Sequence, residues 1–259
     1  VSIGFFDSGI GGLSILRNAK TLLPKHDFIY IGDDANCPWG NKDADFIVKR
    51  SSQITKKLIS MGAKVIVVAC NTATVSAIDT LRAEFADIPF VGVEPGIKPA
   101  AQASQTGQIA VLATKATSLG ERFNYLLKEF AGNTQSIVIA APGLVELVEE
   151  GKLEGLEVET KLRELLQPVI ERNVDQLVLG CTHYPFLVES IQKILPIGVT
   201  IIDTGPPVAR QLARIVDEKG IPSGSGLLSI YTTGKFRRLT ELVKILLGIP
   251  SIDVKSIAI

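Results

Sequence analysis

Short runs of β-branched and apolar residues alternate along this chain with longer amphipathic stretches, and that alternation predicts parallel sheets flanked by helices. "SIGFFD" reads as a buried strand and the glycine-rich "SGIGG" turns the chain. "LSILRNAKTLL" follows as a helix with Leu13, Leu16 and Leu23 on its apolar face. "DFIYIGD", "KVIVVAC" and "PFVGVEPG" read as further strands, separated by the helical stretches "NKDADFIVKRSSQITKKLISMG" and "NTATVSAIDTLRAEFA". Parallel strands need such crossovers, because a tight hairpin cannot bring the chain back to the same end of the sheet.

The second half restarts the same programme. "QIAVLATKAT" aligns with the first strand, "SIVIAAPG" with "FIYIGD", "DQLVLGCTHY" with "KVIVVACNTA", and "VTIIDTGPP" with "FVGVEPG". The offset is near 106 residues for the first pair and 111 for the two cysteines, Cys70 and Cys181. Order of elements, rather than identity, carries this reading of an internal duplication. The expected fold is therefore α/β, with two pseudo-symmetric lobes, each a mainly parallel sheet flanked by helices, and a site in the cleft between them. Residues 1–97 with 207–259 are assigned to the first lobe and 98–206 to the second. The last fifty residues have no counterpart between the halves and are expected to return to the first lobe. No long Pro/Gly-rich linker is visible, which predicts a tight interface.

Composition narrows the partners. The 27 basic residues balance 27 acidic ones, so no net field draws the chain to nucleic acid or an anionic membrane, and a small molecule is the expected partner. No stretch approaches the ~18 apolar residues of a membrane span, and no secretory leader pattern opens the chain, so a cytoplasmic protein is expected. The three cysteines form no C-x-x-C pair and only two histidines occur, which argues against a disulfide framework and against a metal site.

In parallel sheets the functional loops lie beyond the carboxyl ends of the strands, where helix N-termini present free amides. Cys70 and Cys181 both occupy this position, followed by Asn71 and Thr72 in one case and Thr182 and His183 in the other. Such amides can hold a carboxylate and lower a thiol's pKa from about 8.5. A lone strand-end cysteine is ordinarily core; two at equivalent points of a duplicated unit suggest thiols approaching one molecule from opposite sides. One would remove a proton from carbon while the other delivers a proton to the opposite face. Asp7 at the end of the first strand points toward the same cleft, or else caps a turn. The glycine-rich turn lacks both nucleotide fingerprints, so a phosphate cradle is a weak reading. His183 can stabilise a thiolate. Glu149 and Glu150, taken alone, look like a solvated helix end; Cys37, in "NCPWG", looks incidental, and Trp39 is a candidate aromatic wall.

The motifs "FDSGIGGLS", "ACNTA", "GVEPG", "ATKAT", "LVEEG", "LGCTHYP" and "YTTG" together resemble those of the bacterial glutamate racemases, over nearly the whole chain. The resemblance implies interconversion of L- and D-glutamate without pyridoxal phosphate or metal, the D-isomer being destined for peptidoglycan. It implies that Cys70 acts on the D-enantiomer with help from Asp7, and Cys181 on the L-enantiomer with help from Glu149 and His183. The substrate-binding positions it carries over are Ser8, Pro38, Trp39, Gly40, Asn71, Thr72, Thr114, Thr117 and Thr182. A homo-oligomer, in the simplest case a homodimer, is an expected assembly. This chain departs from the pattern with Trp39 where tyrosine is usual, Asp34 where threonine is common, and Ala141 where many members have cysteine. Activation by a cell-wall precursor is not expected, since almost nothing precedes the first strand. Three alternatives remain: a superfamily relative that is either a racemase for another acidic compound or a decarboxylase or isomerase using a single cysteine; a non-catalytic carboxylate clamp; and a thiol hydrolase using Cys181, His183 and Glu149.

Overall fold

A computed structural model describes residues 1–259, apart from the side chains of residues 236–238. Its strands are β1 (Ser2–Asp7), β2 (Asp27–Gly32), β3 (Ala63–Val68), β4 (Phe90–Gly92), β5 (Gln108–Ala113), β6 (Gln135–Ala140), β7 (Gln176–Gly180), β8 (Thr200–Ile202), β9 (Leu228–Thr232) and β10 (Val254–Ser256). They form two sheets, ordered β10-β9-β2-β1-β3-β4 and β6-β5-β7-β8, with parallel pairing throughout. The first sheet thus contains β2-β1-β3-β4, and the second repeats that order with the strands the sequence aligns to them. The segment after residue 207 supplies β9 and β10, which extend the first sheet beyond β2.

The crossovers are α1 (Leu13–Leu22), α2 (Ala44–Ser60), α3 (Asn71–Glu84), α4 (Ile97–Ala103), α5 (Lys115–Leu119), α6 (Glu121–Phe130), α7 (Leu144–Glu149), α8 (Leu156–Glu171) and α9 (Val188–Gln192), followed by α10 (Gly205–Glu218) and α11 (Phe236–Leu247). Among the described residues no helix is long and apolar enough to cross a membrane. The apolar runs become central strands because both sheet faces are covered. Successive side chains point to opposite faces, so Ile3 and Phe5 enter one cluster and Phe6 another. Phe6 packs with Ile54, Leu58, Ile66 and Val68 beneath α2 and α3. The cluster of Ile3 and Phe5 continues through Leu13, Leu16 and Val67 to Leu112, Leu144, Leu147 and Leu179. One core therefore spans both sheets, as the missing linker predicts, and holds the carboxyl ends of β1, β3, β5 and β7 around a common cleft.

Candidate active site

Cys70 lies two residues beyond β3 and is the N-cap of α3, with its sulfur 3.5 Å from the Ala73 N–H and 3.8 Å from Ser8 Oγ. Asp7 ends the adjacent strand β1 and is fully buried, its Oδ2 accepting from the Gly12 N–H at 3.0 Å. Burial raises the Asp7 pKa, against the opposing pull of His183 and that amide. Burial also raises Cys70, with Asp7's charge next, and these outweigh the Ala73 amide. The expectation that a helix N-terminus lowers this thiol's pKa therefore fails: one weak N–H···S contact does not offset loss of water and a nearby carboxylate.

On the other side, His183 Nδ1 stands 3.7 Å from the Cys181 sulfur and His183 Nε2 is 2.7 Å from Glu149 Oε1. Burial alone favours neutral imidazole, but hydrogen bonding to Cys181 and Glu149 outweighs it and holds His183 well above the ordinary histidine range. Glu149 is likewise opposed by burial yet lowered overall by the bond and charge of His183 and by the Ile10 N–H, which donates at 2.9 Å. A carboxylate at the end of a helix faces the negative pole of the dipole and needs such partners. Glu150, its neighbour, turns outward to Lys152 at 2.9 Å. The solvated-helix-end reading holds for Glu150 and not for Glu149.

The glycine-rich turn is a place where the lobes meet closely. A Cβ on Gly11 would lie 2.6 Å from His183 Cε1 and 2.7 Å from Thr182 Oγ1, and one on Gly9 would overlap the Glu149 carboxylate. Gly9 and Gly11 are thus required by the approach of the second lobe, while Gly12 lies against Ala69 and Asp7 of its own lobe. Tyr30 fixes the turn by donating to the Gly9 carbonyl at 2.7 Å, and Ser14 Oγ donates to the Thr182 carbonyl at 2.9 Å. Sequence reasoning passed over Ser14, Tyr30 and Ile10; its one available signal was three glycines in four positions.

Thr72, Thr114 and Thr117 meet in a buried hydroxyl cluster, with Thr72 Oγ1 3.0 Å from Thr114 Oγ1 and 3.2 Å from Thr117 Oγ1. Thr114 caps α5 by accepting from the Thr117 N–H. Asn71 Nδ2 donates to the Val93 carbonyl, and Ser8, Asn71 and Thr182 are all buried. Asp7 Oδ1 and Asn71 Oδ1 are buried acceptors without a hydrogen-bond donor among the described residues. Gly40 abuts Thr114, so Pro38 and Gly40 form the rim. Trp39 is fully buried, but its indole turns into the first lobe, donating to Asp33 at 3.2 Å and packing edge-on against Phe46. Asp33 also pairs with Arg50 at 2.7 Å. The wall role for Trp39 is not what these side-chain contacts describe.

Both thiols are nearly closed off, Cys70 being 5% and Cys181 6% exposed. Next to Glu149, the partner of His183, opens a cavity of about 690 Å³ lined by Asp34, Cys37, Pro38, Glu149 and Thr233 among others. Asp34 accepts from Thr232, and burial followed by the charge of Glu149 pushes its pKa up to about 7.

Comparisons with known proteins agree with this architecture. The Asp/Glu/hydantoin racemase family matches residues 14–212. A glutamate racemase of Herpetosiphon aurantiacus is 48% identical over 214 residues, covering 83% of this chain and 84% of its own. That of Pseudomonas aeruginosa is 40% identical, covering 96% of this chain and 95% of its own. Among solved structures, Escherichia coli glutamate racemase with L-glutamate and activator UDP-MurNAc-ala superposes with a TM-score of 0.90 at 32% identity, over 99% of this chain and 98% of that one. The Francisella tularensis enzyme with D-glutamate gives 0.86 at 30% identity, over 99% and 97%. The chain belongs to the Asp/Glu/hydantoin racemase family, as one of its glutamate racemases.

Proposed function

We propose that this chain interconverts L- and D-glutamate by a two-base proton transfer between Cys70 and Cys181, without pyridoxal phosphate or metal. The observation that carries the reading is that two buried thiols end equivalent strands of the two sheets, each with its own ionisable helper. With D-glutamate, the Cys70 thiolate takes the α-proton and the Cys181 thiol donates its proton to the opposite face of the carbon. The product is L-glutamate, and the enzyme is left with Cys70 protonated and Cys181 as thiolate, the form that accepts L-glutamate for the reverse turnover. Asp7 acts at the Cys70 end; His183, oriented by Glu149, acts at the Cys181 end.

The orphaned acceptors Asp7 Oδ1 and Asn71 Oδ1 suit the substrate ammonium. That positive charge also offsets the Asp7 charge that disfavours the Cys70 thiolate. The N-terminus of α3 and the Thr72, Thr114 and Thr117 hydroxyls suit a carboxylate. Acid/base catalysis contributes roughly 10²- to 10⁴-fold per group. Fixed donors in a closed, dry cleft therefore carry much of the stabilisation of the carbanion-like transition state. Thiols this enclosed require the lobes to part for substrate entry. On the same reading the D-glutamate supplies peptidoglycan synthesis in the cytoplasm.

The test is turnover of each enantiomer in heavy water without added cofactor, followed by circular dichroism and mass spectrometry. Early product gains α-deuterium while recovered substrate stays protiated; rapid labelling of recovered substrate ahead of racemisation indicates one exchanging base and refutes the two-thiol mechanism. A second reading draws on the chain of contacts from Cys181 through His183 to Glu149, which is also the layout of a thiol hydrolase. It predicts ammonia release from an amide such as glutamine and gives no task to Cys70 and Asp7.

A further inference from the structure

Cys37 takes no part in the proton transfer proposed above, yet its sulfur lies 3.5 Å from Glu149 Oε1, the atom that meets His183 Nε2 at 2.7 Å. One donor atom from each of Cys37, Glu149 and His183 falls within 4.8 Å of the other two. Zinc binds thiolate at about 2.3 Å and imidazole or carboxylate at about 2.0–2.2 Å, so donors around a tetrahedral ion stand about 3.3–3.7 Å apart. The Cys37–Glu149 pair already has this spacing. The Glu149–His183 pair reaches it by opening less than about 1 Å and surrendering its hydrogen bond.

We propose that Cys37, Glu149 and His183 form an inhibitory site for a thiophilic divalent cation, zinc or cadmium in class, with a fourth position left to water. Sulfur, nitrogen and a single oxygen suit such an ion; magnesium and calcium demand oxygen-rich shells. Glu149 is also held by the Ile10 N–H, which keeps one ligand in place before the ion arrives. Cys37 and Glu149 line the 690 Å³ cavity, which gives the ion a route that does not require the lobes to part.

The three ligands come from the loop after β2, the end of α7 and the loop after β7. No spacing motif joins them, which is why cysteine and histidine spacing argued against a metal. Binding releases the Cys37 thiol proton and the His183 Nε2 proton to solvent and captures the imidazole nitrogen that Glu149 otherwise orients, so His183 no longer serves Cys181. That inhibitory consequence rests on the racemase reading of the site; the binding itself does not.

The test is a titration of the purified protein with cobalt(II), read as sulfur-to-metal charge-transfer absorption, alongside zinc inhibition of racemisation. Wild type should show the band at one ion per chain, and Cys37→Ser should lose it. The zinc concentration for half-inhibition should rise about tenfold or more in Cys37→Ser, since losing even an outer-shell partner weakens metal sites by 10–100-fold. Without zinc, kcat and KM of Cys37→Ser should stay near wild type. Cys70→Ala should keep the band. No band in wild type, a band that survives in Cys37→Ser, or one that disappears only on replacing Cys70 or Cys181 would overturn the proposal. The absorption requires no turnover, so loss of the racemase reading and loss of the metal site are separately visible.

Discussion

Replacing Gly9 with alanine separates the His183–Glu149 pair from the rest of the site. The new Cβ would overlap Glu149 Oε1 and stand 2.9 Å from both the Glu149 carboxyl carbon and the Cys37 sulfur. Carbon atoms settle at about 3.5–4.0 Å, so the carboxyl group must retreat by roughly 1 Å. The 2.7 Å bond to His183 and the 2.9 Å bond from Ile10 are then both stretched out of range. Gly9 does not occupy the left-handed region, and the displaced atoms are the tip of a flexible side chain. The fold should survive, with Tm lowered by only a few degrees, while a misplacement of this size removes about 10²-fold in rate. L- and D-glutamate have equal free energy in water, so kcat/KM must fall by one common factor in both directions. Circular dichroism with each enantiomer, paired with thermal melts, measures both quantities. Glu149→Gln should lower kcat/KM comparably, and the double variant should lose little more than either single one, because the same bond is removed. A Gly9→Ala enzyme with wild-type kcat/KM would refute the assignment of Glu149 as the residue that orients His183.

Arg50→Met strips the Asp33 carboxylate, 0% exposed, of its bidentate partner, and an uncompensated buried charge costs about 3–5 kcal/mol; a denaturant midpoint shift equivalent to less than 1 kcal/mol contradicts this. Asp34 carries a folded-state pKa of about 7 against 3.8 for an unperturbed aspartate, so the folded protein binds more protons between these values and loses stability as pH rises through them. Asp34→Asn should therefore gain on wild type by up to about 4 kcal/mol at pH 8 and by almost nothing at pH 4, measured as Tm against pH. Trp39→Tyr removes the indole donor to Asp33 and should lower stability by about 1 kcal/mol, while KM for glutamate stays near wild type because the indole's polar and ring contacts are to Asp33 and Phe46.

The strands were legible because a strand covered on both faces is a nearly continuous apolar run, and the crossovers because parallel neighbours demand them. β10 was not, being three residues at a sheet edge with little burial to pattern it. Glu149 and Glu150 are indistinguishable locally; only the turn Ser8–Gly12, from the other lobe and about 140 positions away, decides which one becomes buried. The same cause hid Cys37. Its neighbour Glu149 is 112 positions distant, and neither residue has a counterpart in the duplication. Trp39 read as an aromatic wall from its place in "NCPWG", whereas its indole is claimed by Asp33, a residue that no motif tied to it.

The duplication explains where the thiols sit but not why their helpers differ, and the register makes that difference explicit. Phe6 lies opposite Val68 and Leu112 opposite Leu179, so the equivalent positions are Asp7 with Ala113, Ser8 with Thr114, Asn71 with Thr182, and Thr72 with His183. Hydroxyls recur at Ser8 and Thr114, and polar side chains at Asn71 and Thr182, where one bound carboxylate or ammonium needs donors and acceptors from both lobes. The ionisable groups do not recur. The first lobe places its carboxylate on the neighbouring strand, with a threonine in the cysteine's own loop; the second leaves an alanine on the strand and puts the histidine in the loop. A symmetric backbone can present two thiols to opposite faces of one carbon, but glutamate is chiral, and its two faces never offer the two thiols mirror-image surroundings. The lobes therefore share the frame that positions sulfur and differ in the ionisable groups that stand beside each one. On the proposed mechanism Asp7 acts from its buried place beside Cys70, held by the Gly12 N–H, and His183 acts through its link to Glu149, the pair that Gly9 and Gly11 leave room for.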